Sequence, residues 1–267
     1  SISKPAIRKM IDLAFIGAGR MAGAMVRGIL RAGISDPAHI RCTGARDVTA
    51  EALASETGIE ATYDYARLLQ SARWVVLACK PQQVDKLPPE LAELTRDRYI
   101  LSILAGTPLQ RLHGIFPNAA NIVRAMPNTP GMIGRGITAF APLQSLSGQN
   151  EEAVRAILSS LGEVLEIDEH RLNAVTGLSG SGPAYVFEFV AALRDGGIQA
   201  GLTSDQAYRL ALKTVQGAAE LLEAVPESPE THRDWVSSPG GTTLAGLQVL
   251  SDSHFRQLIA DTVRAAK

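Results

Sequence analysis

Two stretches of this 267-residue chain carry residue types suited to holding anions. The first is Gly17-Ala18-Gly19 within "FIGAGRMAG", with Ala22 three residues on. A glycine at 17 permits a tight turn, and one at 19 lets the backbone approach a pyrophosphate. A small residue at 22 allows close helix–sheet packing. The start of the following helix adds free N–H groups and the positive end of its dipole. The second stretch is "SSPGGTT", residues 237–243. Pro239 stiffens the approach. Gly240 and Gly241 can adopt φ values closed to other residues and aim successive N–H groups into one concavity. Thr242 and Thr243 open the next helix, whose dipole adds positive potential. The expected product is a cradle sized for one carboxylate. A plain N-cap after an interhelical turn would need only Ser238 or Thr242.

The first stretch predicts a dinucleotide site, and the second strand narrows which one. A carboxylate at the end of that strand would bind the ribose 2′-OH of NAD. The residues there are Cys42-Thr43-Gly44-Ala45-Arg46. Arg46 suits a 2′-phosphate by bidentate geometry, and Arg20 inside the glycine loop adds to it. NADP(H) is therefore the expected cofactor, with NAD(H) as the alternative. In the competing reading Arg46 is a solvated charge and Asp47 holds the ribose.

The elements that must position these loops alternate through the first half. "IDLAFIG" (11–17), "HIRCTGA" (39–45), "WVVLAC" (74–79), "YILSIL" (99–104), "NIVRAMP" (121–127), "GITAFAP" (136–142) and "GEVLEID" (162–168) read as strands. Met21, Ala24, Met25, Gly28 and Ile29 share one helical face. Segments 49–58 and 149–161 read as helices, the former closed by Gly58. Thr107 and Pro108 start another, as N-cap and first-turn proline. Such alternation predicts an α/β fold with a mostly parallel, doubly wound sheet. Beyond residue 168 only helical periods remain. Thr203 and Gln206 form a capping box for a helix that Pro226 ends, and 242–266 read as two helices parted near Ser251–Ser253. The expected organisation is a Rossmann domain over 1–167 and an all-helical domain over 168–267. The apolar helices at 183–193 and 207–225 are too greasy for a lone helical domain of this size, which predicts a dimer.

Composition narrows the functional classes. Net charge is −1 with no Lys/Arg-rich run, which argues against nucleic acid or an anionic membrane surface. No apolar run is long enough to span a bilayer, and residues 1–10 are too charged for a signal peptide. Cys42 and Cys79 read as free thiols of a reducing cytosol rather than a disulfide. "GLSGS" (177–181) fails the nucleophile-elbow pattern at its last position. The five histidines are scattered singly without metal-ligand spacing. Glu188, in "AYVFEFV", fits an interface or local hydrogen bond better than chemistry.

"FIGAGRMAGAM", "ACKPQ" (78–82), "MPNTP" (126–130), "TGLSGSGPAY" (176–185) and "SSPGGTT" occur in one order. Together they closely resemble the pyrroline-5-carboxylate reductase family along the whole chain. The resemblance implies NAD(P)H-dependent reduction of the cyclic imine 1-pyrroline-5-carboxylate to proline. It also implies intertwined homodimers that often assemble into rings of five. Ile16, Gly17, Ala18, Gly19, Arg20 and Met21 match the family's cofactor loop. Cys79, Lys80 and Pro81 match the segment beside the cofactor, and Ala105 a residue near its nicotinamide half. Glu169 matches a glutamate near the imino acid. Ser238, Gly240, Gly241 and Thr242 match the loop that holds substrate, and Thr243 the residue whose hydroxyl meets the ring nitrogen. Trp235 and Tyr65 stand where some relatives carry asparagines that touch cofactor. The other readings are a related imine reductase, a β-hydroxyacid dehydrogenase or an NADPH sensor. Such dehydrogenases use a lysine on the helix entering the second domain; here that helix begins Ser-Gly-Pro-Ala-Tyr. A sensor would not need the "SSPGGTT" cradle.

The Arg46 reading predicts that Arg46→Ala weakens NADPH binding far more than NADH binding in fluorescence titrations. Equal losses would remove the assignment.

Overall fold

The strands alternate their apolar side chains between two faces, so one sheet must be covered on both. In the computed structural model, which describes residues 10–45 and 47–267, this is the arrangement found. Eight strands form one sheet among the described residues: β1 (Leu13–Ile16), β2 (Ile40–Thr43), β3 (Glu60–Ala61), β4 (Trp74–Leu77), β5 (Tyr99–Ser102), β6 (Asn121–Met126), β7 (Gly136–Pro142) and β8 (Gly162–Glu166). Their spatial order is β3-β2-β1-β4-β5-β6-β7-β8. The first six follow the doubly wound dinucleotide-binding order. Every neighbouring pair is parallel except β6 with β7. The two-residue β3 is the strand that the sequence pattern did not announce.

Among the described residues seven α-helices accompany the sheet: α1 (Arg20–Arg31), α2 (Thr49–Thr57), α3 (Tyr65–Leu69), α4 (Leu91–Leu94), α5 (Leu109–Ile115), α6 (Gly148–Ser159) and α7 (Leu172–Val175). Leu13, Phe15, Trp74 and Val76 pack on one face with Met25 and Ile29 of α1 and Ile157 of α6. Ala14, Ile16, Val75 and Leu77 pack on the other with Leu68, Leu112 and Phe116. This period of two is the strand geometry that places residue i and i+1 on opposite faces. Burying one such Phe or Leu stabilises by roughly 1.5–3 kcal/mol. The glycine loop therefore emerges from a strand held in place on both faces.

Two details depart from the sequence reading. Thr107 does not cap α5; its hydroxyl lies 3.4 Å from the Ala105 carbonyl, and Pro108 occupies the cap position. The free Leu109 N–H is instead taken by Glu169, 2.6 Å away. A carboxylate sixty residues downstream is invisible to a local capping pattern. Second, the chain divides into compact units at Gly180/Ser181, whereas the strand signal ends near 168. Residues 169–180 stay with the sheet because Leu172 packs with Ala139 and Ala141 and Asn173 accepts from Arg124 at 3.0 Å. Thr176–Gly180 form a π-helical turn, and a Cβ on Gly180 would lie 2.6 Å from Met126 Cε.

The second unit consists of α8 (Gly182–Gln199), α9 (Ser204–Ala224), α10 (Pro229–Trp235), α11 (Thr242–Asp252) and α12 (Phe255–Ala265). The Thr203/Gln206 capping box forms: Gln206 N–H donates to Thr203 Oγ1 at 3.3 Å and Thr203 N–H to Gln206 Oε1 at 3.1 Å. A Cβ on Gly197 would sit 3.1 Å from Ala207 Cβ, so α8 and α9 pack closely there. Much apolar surface remains exposed, including Phe187 at 66%, Val249 at 64% and Leu258 at 60%.

Gly28 sits mid-helix in α1, where alanine would be favoured by about 1 kcal/mol on helix propensity alone. A Cβ there would lie 2.4 Å from the Ser160 carbonyl oxygen. That backbone clash outweighs the propensity, so Gly28→Ala should destabilise by roughly 1–3 kcal/mol. Urea unfolding that shows a gain in stability would contradict this contact.

Candidate functional site

The C-terminal edge of the sheet opens where β1 ends. Gly17 adopts φ +115° and donates its N–H to the Thr43 carbonyl at 2.9 Å. A Cβ at Gly17 would lie 2.4 Å from the carbonyl carbon and oxygen of Ala78, so no other residue fits. The loop then turns into α1, with Gly19 as N-cap at φ −72°. Among the described residues no acceptor meets the N–H of Ala18 or Gly19. A helix start also leaves its first N–H groups without internal partners. A Cβ on Gly19 would find nothing within 4 Å, so the space above the loop is open.

That space is a cavity of about 320 Å³. Ile16, Gly17, Ala18 and Gly19 form one wall, and Cys79 and Lys80 another. Thr43, Gly44, Ala45, Asp47 and Thr49 close the β2 end. Burial pushes the Cys79 thiol up, so it stays neutral and reads as a wall. Asp47 accepts from the Thr49 hydroxyl at 2.7 Å and the Thr49 N–H at 3.3 Å. These hydrogen bonds hold its carboxyl below the usual range, and the nearby Lys80 charge adds to this. Free amides, an open glycine floor and flanking cations fit a dinucleotide pyrophosphate.

Several expected residues stand apart from this cavity. Arg20 and Met21 begin α1 but do not line it; Met21 packs against the core. Pro81 starts the 3₁₀ turn Pro81–Lys86 behind it, and Ala105 is exposed after β5. Arg46 lies outside the described residues. Tyr65, the departure noted at the adenosine side, lines the cavity, with burial raising its hydroxyl pKa. Sequence reasoning missed Gln83 and Lys86, which also line it. The available signal was "KPQQVDK": a proline that opens a turn shortly after β4, with Gln83 accepting from Lys80 N–H at 3.0 Å.

Glu169 is held inside the sheet unit. Its Oε1 accepts from Leu109 N–H and lies 3.3 Å from the guanidinium of buried Arg124. Ser179 donates to the Val175 carbonyl at 3.3 Å, which uses its hydroxyl locally. Among the described residues no cluster of three or more His, Cys, Asp or Glu is placed to hold a metal ion.

In the helical unit, Ser238-Pro239-Gly240-Gly241 form a turn closed by Gly241 N–H to the Ser238 carbonyl at 3.0 Å. Proline at the second position and glycine at φ +69° at the third are the type II pattern. Gly241 is needed for a different reason: a Cβ there would lie 2.6 Å from Ser238 Oγ. The Gly241 amide is thus engaged in the turn. Gly240 N–H has no acceptor among the described residues, and α11 starts at Thr242 without a side-chain cap. The cradle's free donors are therefore Gly240, Thr242, Thr243 and Leu244. Trp235 is 60% exposed and edge-on to His232, ring centroids 4.8 Å apart.

The sheet order and the glycine loop at the end of β1 define a Rossmann oxidoreductase that takes a nicotinamide dinucleotide. Residues 12–106 match the family model described as "NADP oxidoreductase coenzyme F420-dependent", and residues 169–267 match "Pyrroline-5-carboxylate reductase dimerisation". A pyrroline-5-carboxylate reductase of Synechocystis sp. is 40% identical over 256 residues, covering 96% of each chain. That of Escherichia coli is 32% identical over 94% of each. The structure of a pyrroline-5-carboxylate reductase from Coxiella burnetii superposes with a TM-score of 0.89 at 31% identity, over 97% of this chain and 96% of that one. The Plasmodium falciparum enzyme, solved with NADP bound, gives 0.84 at 26% identity, over 98% and 97%. This chain belongs to the pyrroline-5-carboxylate reductase family.

Gly19→Ala should separate binding from folding. The new methyl finds open space, so stability should fall by no more than about 1 kcal/mol, the weight of an N-cap change. It would occupy the floor on which the pyrophosphate rests, so NADPH affinity should drop by at least tenfold, roughly the weight of one lost charge-assisted hydrogen bond. Calorimetric titration beside thermal unfolding reads both; unchanged affinity would count against the cavity.

Proposed function

We propose that this chain reduces the ring C=N of 1-pyrroline-5-carboxylate to give proline, using NADPH in preference to NADH. The observation that carries it is family membership over nearly the whole chain, joined to a glycine-floored cavity at the end of β1. When bound, the reduced dinucleotide supplies the hydride for the imine carbon.

The chain's own residues do the rest. Backbone amides of the Ile16–Met21 loop hold the pyrophosphate, Cys79 and Lys80 wall the cofactor, and Pro81 starts the turn that follows Lys80. Ala105 borders its nicotinamide half, and Arg46 meets its 2′-phosphate with Arg20. Ser238, Gly240, Gly241 and Thr242 shape the carboxylate cradle, in which the free amides of Gly240 and Thr242 donate and Gly241 keeps the turn closed. Glu169 has Oε1 engaged and leaves Oε2 for the imino acid. The Thr243 hydroxyl meets the ring nitrogen. A threonine hydroxyl is too weak an acid to protonate that nitrogen at neutral pH, so it orients and polarises it. The proton arrives already on the imine or through water. Residues 1–167 thus serve the dinucleotide, and 168–267 the substrate and subunit contacts.

The exposed apolar side chains of α8, α9, α11 and α12 support self-association as an intertwined homodimer, with five dimers forming a decameric ring. Two free cysteines accord with a cytoplasmic enzyme. Among the described residues no helix is long and apolar enough to cross a membrane.

Thr243→Ala should lower turnover of pyrroline-5-carboxylate by about ten- to a hundredfold, equivalent to roughly 1.5–3 kcal/mol, without unfolding the protein. The check is NADPH oxidation followed by the loss of reduced-nicotinamide absorbance, with hydroxyacids as the contrasting substrates. Unchanged kinetics would dispose of the threonine's role, and preference for hydroxyacids would dispose of the imine.

A further inference from the structure

The dinucleotide cavity has two lysines on its β4 side. Lys80 precedes the 3₁₀ turn Pro81–Lys86, and Lys86 ends it; both line the cavity. The turn is fixed by Gln83 N–H to the Lys80 carbonyl at 2.8 Å and by Val84, which is fully buried. Lys86 therefore starts from a rigid support rather than a loose loop.

The cavity that these lysines line is also lined, at the end of β2, by Thr43, Gly44, Ala45, Asp47 and Thr49. In the doubly wound arrangement that edge faces the adenosine ribose, while the glycine loop and α1 take the pyrophosphate. The single carboxylate among the lining residues is Asp47. It is folded back onto Thr49 by two hydrogen bonds, and the Lys80 charge adds to them in holding its carboxyl below the usual range. Two cations thus face one anion. Lys80 has a neighbouring counter-charge, whereas Lys86 has no ion-pair partner among the described residues. The adjacent Asp85 is committed to Arg111.

We infer that Lys86 is a specificity-determining residue that reads the 2′-phosphate of the adenosine ribose from the β4 side of the cavity. The inference rests on the dinucleotide reading above. A 2′-phosphate brings a charge of nearly −2 to this end of the cavity, and the uncompensated ammonium supplies its counter-charge. A ribose 2′-OH offers no such charge.

The test uses two ligands that differ only by that phosphate and lack nicotinamide: 2′-phospho-ADP-ribose and ADP-ribose. Each is titrated calorimetrically into the full chain and into its Lys86→Met and Lys86→Arg variants, with circular dichroism as the folding control. Lys86→Met should weaken 2′-phospho-ADP-ribose roughly ten- to a hundredfold, the usual weight of a hydrogen bond to a charged group. ADP-ribose should change less than about twofold, and Lys86→Arg should keep most of the difference. Equal losses for both ligands, or none for either, would overturn the assignment. If the Lys86→Met protein binds both as before and still reduces the cyclic imine, the lysine's role fails and the reductase reading stands. If the unaltered protein binds neither ligand, both fail.

Discussion

The sheet edge depends on one close approach. Gly17 passes so near the Ala78 carbonyl that a single methyl group cannot fit, and it simultaneously hydrogen-bonds the Thr43 carbonyl. Three strand ends, β1, β2 and β4, are thereby locked at one level. The chain has to leave that point steeply, into α1, with its amides facing outward. The cavity is the space that this departure leaves. Its walls are whatever follows β2 and β4, which is why Asp47 lines it together with Lys80 and Lys86, which are distant from it in sequence.

The sheet unit and the helical unit solve burial differently. The sheet core is packed on both faces, and its largest side chains, Trp74, Phe15 and Phe116, are fully enclosed. The helical unit buries few side chains of its own. Val190, Ala207 and Ala211 are its enclosed apolar residues, and the close α8–α9 contact is made through small ones. Its large apolar residues lie on the outside. A helical segment of this kind is half of a core, and its stability is tied to whatever completes it.

Buried polar groups bind the sheet unit's edges together. Arg124 sits on β6 with almost no access to solvent, and a lone buried guanidinium would be strongly unfavourable. Glu169 and Asn173 supply its acceptors, and Glu169 also satisfies the first amide of α5. One carboxylate thereby fixes the residues after β8 against the start of a helix sixty residues earlier in the chain. This network is the physical reason that residues 169–180 pack with the sheet rather than with the helices that follow.

The sequence by itself determined what local rules govern. Strand and helix periods are set by neighbours one to four residues away, so seven strands, the Thr203 capping box and the break between α11 and α12 were legible in it. So were the glycine loop and the Ser238–Gly241 turn, because φ restrictions act on single residues. Only the tertiary structure decided what depends on residues far apart. It reversed β7 against β6, added the short β3, replaced Thr107 by Glu169 at the start of α5 and turned Asp47 onto Thr49. It also brought Gln83 and Lys86 to the cavity wall. Partners of buried charges and the walls of a cavity are chosen by which strand ends lie side by side. That adjacency is fixed by packing the whole sheet, and no local pattern contains it.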